Sequence, residues 1–183
     1  KPISHTPILL NPGRAFGSGE HESTMGCLFA INDLAKKKKF KKPLDMGCGS
    51  GILSIAIAKT WHIGVRSCDV DYKAVLATQN NSRQNCVHPM VRSSLSNGYI
   101  SRLIKKFAPY DLIVCNIFAN ALCEMAKSLS QVSGKYYDRD AIVVLSGFLD
   151  RDLNRVYWAH HVQGFKLIRT YHIKGWCTVV LKR

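Results

Sequence analysis

Hydrophobic positions follow two alternating patterns after residue 42. Short apolar runs predict buried strands at 43–46, 65–69, 90–92, 111–116, 142–146, 166–171 and 178–181. Between them, apolar residues at helical spacing predict helices at 51–59, 72–85, 99–107, 119–132 and 151–162, and a further helix at 22–35 precedes the first strand. This alternation is typical of right-handed βαβ units on a parallel sheet.

The end of the chain departs from the alternation, because only the short Lys174-Gly175 turn separates the last two predicted strands. We expect a hairpin there, so the last strand should enter the sheet antiparallel. The expected fold is an α/β three-layer sandwich with a seven-stranded, mostly parallel sheet and one antiparallel strand near the carboxyl end. It resembles the Rossmann-like class I methyltransferase fold more than the nicotinamide-binding Rossmann fold.

The composition of the 183 residues, 46% hydrophobic and 21% charged, is that of an ordinary globular domain. We expect a single domain over residues 1–183. Polar residues interrupt every long apolar stretch, so we expect no membrane span, no export and a cytoplasmic location. Seven cysteines without a Cys-x-x-Cys spacing indicate reduced thiols and no metal site.

The charge balance is unusual, since 26 lysines and arginines stand against 12 acidic residues and give a net charge of +14. A cationic surface is attracted to phosphate backbones, and salt weakens that attraction. We therefore expect a partner that is polyanionic or bound in nucleic acid. The lysine-rich run at 36–42 is either a contact patch or a solvated loop between a helix and a strand.

A glycine-rich loop at 45–51 joins the first predicted strand to a helix and is the strongest chemical signal. Glycines let the backbone approach a ligand closely, and a helix start offers unpaired N–H groups. The loop predicts a nucleotide-like ligand at Gly47, Gly49 and Gly51. Ser50 is a candidate cap for the helix that follows.

Two acidic residues, Asp69 and Asp71, end the second predicted strand. A carboxylate at this strand end can accept hydrogen bonds from both ribose hydroxyls of an adenosine. The other reading is a helix N-cap, and Asp71 suits it better because Asp71 immediately precedes Tyr72. We therefore predict that Asp69 binds the ligand and that Asp71 caps the helix.

Asn116 ends the fourth predicted strand at the edge where open α/β sheets bind their ligands. In a methyltransferase an amide at this place can accept a hydrogen bond from a substrate amine and align it with the methyl donor. We expect Asn116 to line the reaction site and to be the catalytic residue. The alternative is an asparagine that only forms a turn after a strand.

Before the first helix, the segment at 11–24 is a loop interrupted by glycines. It is either a plain loop or a mobile lid, with Gly17 and Gly19 as hinges and Phe16 as an apolar cover. His21 is either a neighbour of the helix cap or a base. The residues alone leave these alternatives open.

Four segments resemble, in order and spacing, the PrmA family of bacterial methyltransferases: Arg14-Ala-Phe-Gly-Ser-Gly-Glu-His-Glu-Ser-Thr24, Asp45-Met-Gly-Cys-Gly-Ser-Gly-Ile-Leu53, Asp69-Val-Asp71 and Asn116-Ile-Phe-Ala-Asn-Ala-Leu122. The resemblance implies an S-adenosyl-L-methionine-dependent enzyme that methylates amino groups of ribosomal protein L11. That substrate, which binds ribosomal RNA, suits the positive charge and makes ribosomal RNA a candidate contact of the basic surface.

Carried over residue by residue, the resemblance implies cofactor contacts at Thr24, Gly47, Asp69 and Asn116, with Phe16 closing over the site. Thr24 rests on the resemblance alone. The family usually has threonine at position 23 and proline at position 121, where this chain has serine and alanine. It also carries an amino-terminal recognition domain, which we expect this chain to lack.

Three other functions compete with this reading. A class I methyltransferase acting on RNA or on another protein would suit the charge equally well. A nicotinamide oxidoreductase fits less well, because Ile52 stands where a dinucleotide fingerprint has its third glycine. A binding module without activity is disfavoured by the intact glycine loop and by Asp69.

Overall fold

The computed structural model describes residues 7–10, 21–134 and 140–183. Its strands are β1 (Pro43–Met46), β2 (Val65–Asp69), β3 (Val91–Leu95), β4 (Leu112–Asn116), β5 (Ile142–Leu149), β6 (Lys166–Ile173) and β7 (Trp176–Lys182). Its α-helices are α1 (Glu22–Ala35), α2 (Ile52–Trp61), α3 (Tyr72–Gln84), α4 (Arg102–Phe107), α5 (Ala119–Val132) and α6 (Leu153–His161). All seven predicted strands and all six predicted helices have a counterpart in this order.

The strands form one sheet in the order β3-β2-β1-β4-β5-β7-β6. Strands β1 to β5 pair in parallel, and β7 pairs antiparallel with both β5 and β6. The last strand is therefore the one that runs against the others. The predicted sheet, with its antiparallel insertion from a carboxyl-terminal hairpin, is confirmed.

The core consists of two apolar layers, one on each face of the sheet. Strand β4 shows why its sequence is apolar throughout: Leu112 and Val114 pack on the face covered by α1 and α2, whereas Ile113 and Cys115 pack on the face covered by α4, α5 and α6. All four side chains are fully buried. A parallel strand covered on both faces needs such an uninterrupted apolar run.

Two predicted helices begin later than expected, each after a short 3-10 turn. In the first, Ser101 has extended backbone angles and its hydroxyl accepts a hydrogen bond from the amide of Ile104, so α4 starts at Arg102. In the second, a 3-10 turn at Asp150–Asp152 precedes α6. The prediction that Ser50 caps α2 is wrong, because the left-handed Gly51 is the N-cap and no side chain bonds there.

The lysine-rich run lies in the loop between α1 and β1, as one of its two readings predicted. The backbone amides of Lys41 and Lys42 donate to the two carboxylate oxygens of Asp111, at 2.7 and 2.8 Å. These bonds fix the end of the loop against the start of β4. Within the described ranges, no helix combines the length and the apolar character that crossing a bilayer requires.

Candidate active site

A cavity of about 660 Å³ opens where the parallel strands end. Its walls come from the loops after β1, β2, β3 and β4 and from residues beside β5 and β7. A volume of this size suits a nucleoside with a short side chain together with an acceptor group. The lining residues are His21, Met46, Gly47, Gly49, Asp69, Val70, Ser96, Asn97, Gly98, Asn116, Ile117, Phe118, Ala121, Met125, Gly147 and Trp176.

The glycine loop forms the floor of the cavity through Gly47 and Gly49. The amides of Gly47 and Cys48 both donate to the carbonyl of Cys68, at 2.7 and 3.0 Å, which folds the loop back onto β2. Gly47 has a φ of +76°, and a Cβ there would lie 2.5 Å from the Cγ2 of Ile117. Glycine is therefore required at this position both for its backbone angle and for space.

Gly51, the third predicted contact of the loop, does not line the cavity. It has a φ of +83° and begins α2, and a Cβ on it would lie 2.9 Å from the side chain of Thr78. A glycine is needed at this position because the backbone turns with a positive φ and because α3 packs closely against it. A direct contact of Gly51 with a ligand stays a prediction.

Asp69 lies at the wall of the cavity, at the end of β2. Its Oδ2 accepts from the amide of Gly49 and its Oδ1 from the amide of Asp71, both at 3.0 Å. Asp71 caps α3 by accepting from the amide of Lys73 at 2.8 Å, as predicted. Each oxygen of Asp69 keeps a further lone pair, so the carboxylate can accept from a ligand while it holds the glycine loop.

Asn116 lines the cavity from the end of β4. Its Nδ2 donates one hydrogen bond to the Oγ1 of Thr24 at 3.2 Å, and its Oδ1 is the acceptor atom of the amide. Among the described residues, no group donates to this buried Oδ1. A buried acceptor without a donor is unfavourable, which makes this oxygen a candidate acceptor for an N–H or O–H group of a ligand.

Thr24, a predicted cofactor contact, is fully buried behind Asn116 and does not line the cavity. It lies in the first turn of α1, which is anchored to β5 because the hydroxyl of Ser146 donates to the carbonyl of Ser23 at 3.0 Å. In the described geometry Thr24 orients the amide of Asn116. Direct contact with a cofactor stays a prediction for Thr24.

His21 lines the cavity and is the N-cap of α1, since its Nδ1 accepts from the amide of Ser23 at 3.3 Å. With Nδ1 as an acceptor, the neutral ring carries its proton on Nε2. The ring also packs edge-on against Trp176, with 4.5 Å between the ring centroids. His21 was predicted to be a neighbour of the helix cap or a base, and the structure shows that it is the cap itself.

Two parts of the wall escaped the sequence reading. The segment 96–98 follows β3 and Trp176 begins β7, and both contribute to the cavity. The Asn97-Gly98 pair after a predicted strand was the available signal for the first, whereas nothing local marks Trp176. Of the segment at 11–24, predicted to be a plain loop or a lid, residues 11–20 with Phe16, Gly17 and Gly19 lie outside the described residues, and residues 22–24 form the start of α1.

Asp45 begins the glycine motif but lies beneath the cavity and does not line it. Its Oδ2 accepts from the amide of Ser54 at 3.0 Å and from the Ser54 hydroxyl, and this ties β1 to α2. Full burial raises the pKa of Asp45 to about 7. Asp45 therefore shapes the loop from below and is not in contact with the cavity.

A cluster of potential metal ligands lies at the hairpin end of the sheet. One atom each from Asp150, His172 and Cys177 lies within 4.8 Å of the other two, and the Asp150 Oδ1 is 2.6 Å from the His172 Nδ1. Residues so far apart in sequence form no recognisable ligand motif. The expected absence of a metal site stays a prediction.

Comparisons with known proteins show the family of this chain. The family model described as ribosomal protein L11 methyltransferase (PrmA) matches residues 3–183. A ribosomal protein L11 methyltransferase of Mesorhizobium japonicum is 36% identical over 175 residues, covering 96% of this chain and 59% of that protein. The chain thus spans less than two thirds of the length of this curated relative.

Two solved structures show the same fold at low identity. A ribosomal protein L11 methylase of Lactobacillus delbrueckii subsp. bulgaricus has a TM-score of 0.77 at 24% identity, covering 99% of this chain and 91% of that one. An RNA methyltransferase of Salinibacter ruber, in complex with S-adenosyl-L-homocysteine, has a TM-score of 0.65 at 15% identity, covering 85% and 88%. The architecture is that of the class I methyltransferases.

Proposed function

Because the chain belongs to the ribosomal protein L11 methyltransferase (PrmA) family, we propose that it is a methyltransferase domain that uses S-adenosyl-L-methionine. It transfers methyl groups to lysine ε-amines, and to the α-amine, of ribosomal protein L11. The assignment of ribosomal protein L11 as the acceptor rests on the family name and on the relatives that carry this name. The assignment of S-adenosyl-L-methionine as the cofactor rests on the geometry of the cavity together with the family.

The residues of the cavity fit this cofactor. Asp69 can accept from the two ribose hydroxyls while it holds the amide of Gly49. Gly47 and Gly49 let a ligand approach the backbone at the start of α2, where amides and the helix dipole favour polar ligand groups. We also propose cofactor contacts at Phe16, Thr24 and Gly51, which rest on the family resemblance and on the loop motif.

The unpartnered Oδ1 of Asn116 is the observation that carries the proposal. In our reading it accepts a hydrogen bond from the substrate amine and aligns the nitrogen lone pair with the methyl group. When bound, the cofactor supplies a sulfonium methyl that is already activated. With the amine held in line by Asn116, alignment would supply most of the catalysis, and the proton of the methylated amine would leave for water.

No base is needed in this scheme, provided that the amine arrives neutral. His21 is poorly suited to be a base, because Nδ1 accepts from the amide of Ser23 and the neutral ring then carries N–H at Nε2. Because the proposed acceptor is a ribosomal protein, we also propose that this chain acts in the cytoplasm. Contact with ribosomal RNA through the basic surface is a further part of the proposal.

The test is calorimetric titration with S-adenosyl-L-homocysteine, followed by transfer of labelled methyl groups to purified ribosomal protein L11. We expect binding and transfer. Asp69→Ala should weaken binding about 10- to 100-fold, the effect of losing charge-assisted hydrogen bonds. Asp71→Ala is the matched control: it removes a helix cap at a cost of about 1 kcal/mol and should leave affinity unchanged.

The outcomes separate the competing functions. No binding of the cofactor product by the folded wild-type chain would overturn the proposal. Binding with methyl transfer to RNA, and none to ribosomal protein L11, would favour the RNA methyltransferase, which the net charge of +14 also suits. Equal loss of affinity in the Asp69 and Asp71 variants would remove Asp69 from the binding site.

A further inference from the structure

A second groove, of about 310 Å³, opens at the amino-terminal ends of the parallel strands, opposite the candidate active site at their carboxyl ends. It lies where β1, β2 and β3 begin and just before β4, whereas the first cavity lies where these strands end. Four basic residues line it: Lys41, Lys42, Arg66 and Arg92. The groove therefore concentrates part of the net positive charge at one place.

Arg66 and Arg92 are direct neighbours on β2 and β3, since they are partners in the parallel register. Neighbouring strands lie about 4.8 Å apart, so the two side chains leave the same face of the sheet side by side. Within residues 7–10, 21–134 and 140–183, neither guanidinium forms an ion pair or a hydrogen bond. Two like charges placed together without a counter-charge destabilise a sheet. An anion in the groove would remove that cost.

Phe107 holds Arg66, one member of the arginine pair, in place. The Cζ of Arg66 lies 3.7 Å from the centroid of the Phe107 ring, and the Nζ of Lys106 lies 5.8 Å from it. Stacking on the ring fixes the plane of the guanidinium and leaves the N–H groups at its edge able to donate. Lys106 adds a further positive charge beside the groove.

The carboxylate of Asp111, which lies beside the lysines of the groove, is engaged by backbone amides. Both oxygens of the Asp111 carboxylate accept from the backbone amides of Lys41 and Lys42, and Asp111 is buried. Asp111 therefore fixes the lysine-bearing loop at the rim. The side chains that line the groove combine positive charge with two aromatic residues, Phe107 and Tyr110.

We propose that this basic groove binds the phosphate backbone of RNA. Paired guanidinium groups donate two parallel hydrogen bonds each to phosphate oxygens, which lysine cannot do. A chain of phosphates also satisfies several cations at once and releases condensed counterions. The choice of RNA as the source of phosphate rests on the proposed function, because a ribosomal protein by its name belongs to an RNA-containing particle, and it agrees with the charge of +14.

The test measures fluorescence anisotropy of a labelled RNA hairpin bound to the whole chain over a series of KCl concentrations. The variant is Arg66→Gln/Arg92→Gln. The slope of log K against log salt is negative, and each lost phosphate contact makes it shallower by about 0.7 to 0.9, so we expect its magnitude to fall by about 1.4 to 1.8. The control is Arg102→Gln/Arg151→Gln, which removes the same charge near the other edge of the sheet and should change the slope little.

Binding of S-adenosyl-L-homocysteine by the same preparations shows whether the variants are folded, and it separates this proposal from the proposed function. Cofactor binding without RNA binding by the wild-type chain would overturn the RNA groove and leave the methyltransferase assignment intact. Equal slopes for the variant and its control would also overturn the groove. Displacement of the RNA by inorganic phosphate at matched ionic strength would reduce it to a site for free phosphate.

Discussion

At the scale of single residues, Asp45 shows how a motif position can act without contacting a ligand. Its carboxyl group is fully buried, and among the described residues no group donates to its Oδ1. Burial penalises the charged form and raises the pKa of Asp45 from 3.8 to about 7. The folded state therefore holds a proton that the unfolded state has already released at intermediate pH.

The sign of the pH effect follows from this shift. Well below pH 3.8 Asp45 is protonated in both states, and as the pH rises from there to about 7 the unfolded state ionises first. The free energy of unfolding should thus fall over this window, by up to about 4 kcal/mol at 1.36 kcal/mol per pKa unit. Urea unfolding of the wild type and of Asp45→Asn at several pH values measures it.

The neutral amide of Asp45→Asn has no such titration. The variant should therefore gain stability relative to the wild type as the pH rises from about 4 to about 7, whatever its fixed offset. Parallel curves for the two proteins would show that Asp45 does not carry the shifted proton. Cofactor affinity should change less than in the Asp69 variant, since Asp45 does not line the cavity.

At the scale of elements, the loop between β1 and α2 depends on the backbone of Gly47. An alanine there meets two penalties, a φ of +76° and a Cβ 2.5 Å from the Ile117 side chain. Gly164 offers a matched control, because its φ is +91° and nothing lies within 4 Å of an added Cβ. Gly164→Ala should pay only the backbone cost of about 1–2 kcal/mol.

Gly47→Ala should lose more stability than Gly164→Ala and should also lose affinity for the cofactor product. The reason is that the Ile117 side chain and the loop must both move where they line the cavity. Urea unfolding and calorimetry of the two variants make the comparison. Equal losses of stability in the two variants, together with unchanged affinity, would mean that the loop accommodates the alanine Cβ without a change at the cavity.

The elements themselves were largely predictable from the sequence. β1, β2, α1 and α5 begin and end where the apolar pattern placed them, because their boundaries coincide with caps or with abrupt changes in polarity. β5 runs beyond its predicted end at 146, since pairing with β7 extends it past the left-handed Gly147. Such pairing between distant segments leaves no local signal.

At the scale of the whole molecule, the candidate site was predictable in part. Gly47, Gly49, Asp69 and Asn116 each end or follow a strand, and parallel strands bring such positions to one edge. Thr24 and Trp176 join them only through tertiary packing, at the start of α1 and of β7. Their roles depend on neighbours that are distant in sequence. Thr24, for example, is bonded to Asn116, which lies 92 positions further along the chain, and hydrophobic periodicity carries no information about such a pair.

We propose that the two ends of the parallel strands have different functions: the amine reacts at their carboxyl ends, and phosphate binds at their amino ends. If the amine must be neutral to attack, kcat/KM for methyl transfer should rise about tenfold per pH unit below the lysine pKa of about 10.4. Initial rates from about pH 6 to 9, with cofactor affinity measured at each pH, test this. A flat profile at constant affinity would mean that a protein group removes the proton before attack, and it would return His21, despite its bond to the α1 amide, to consideration as the base.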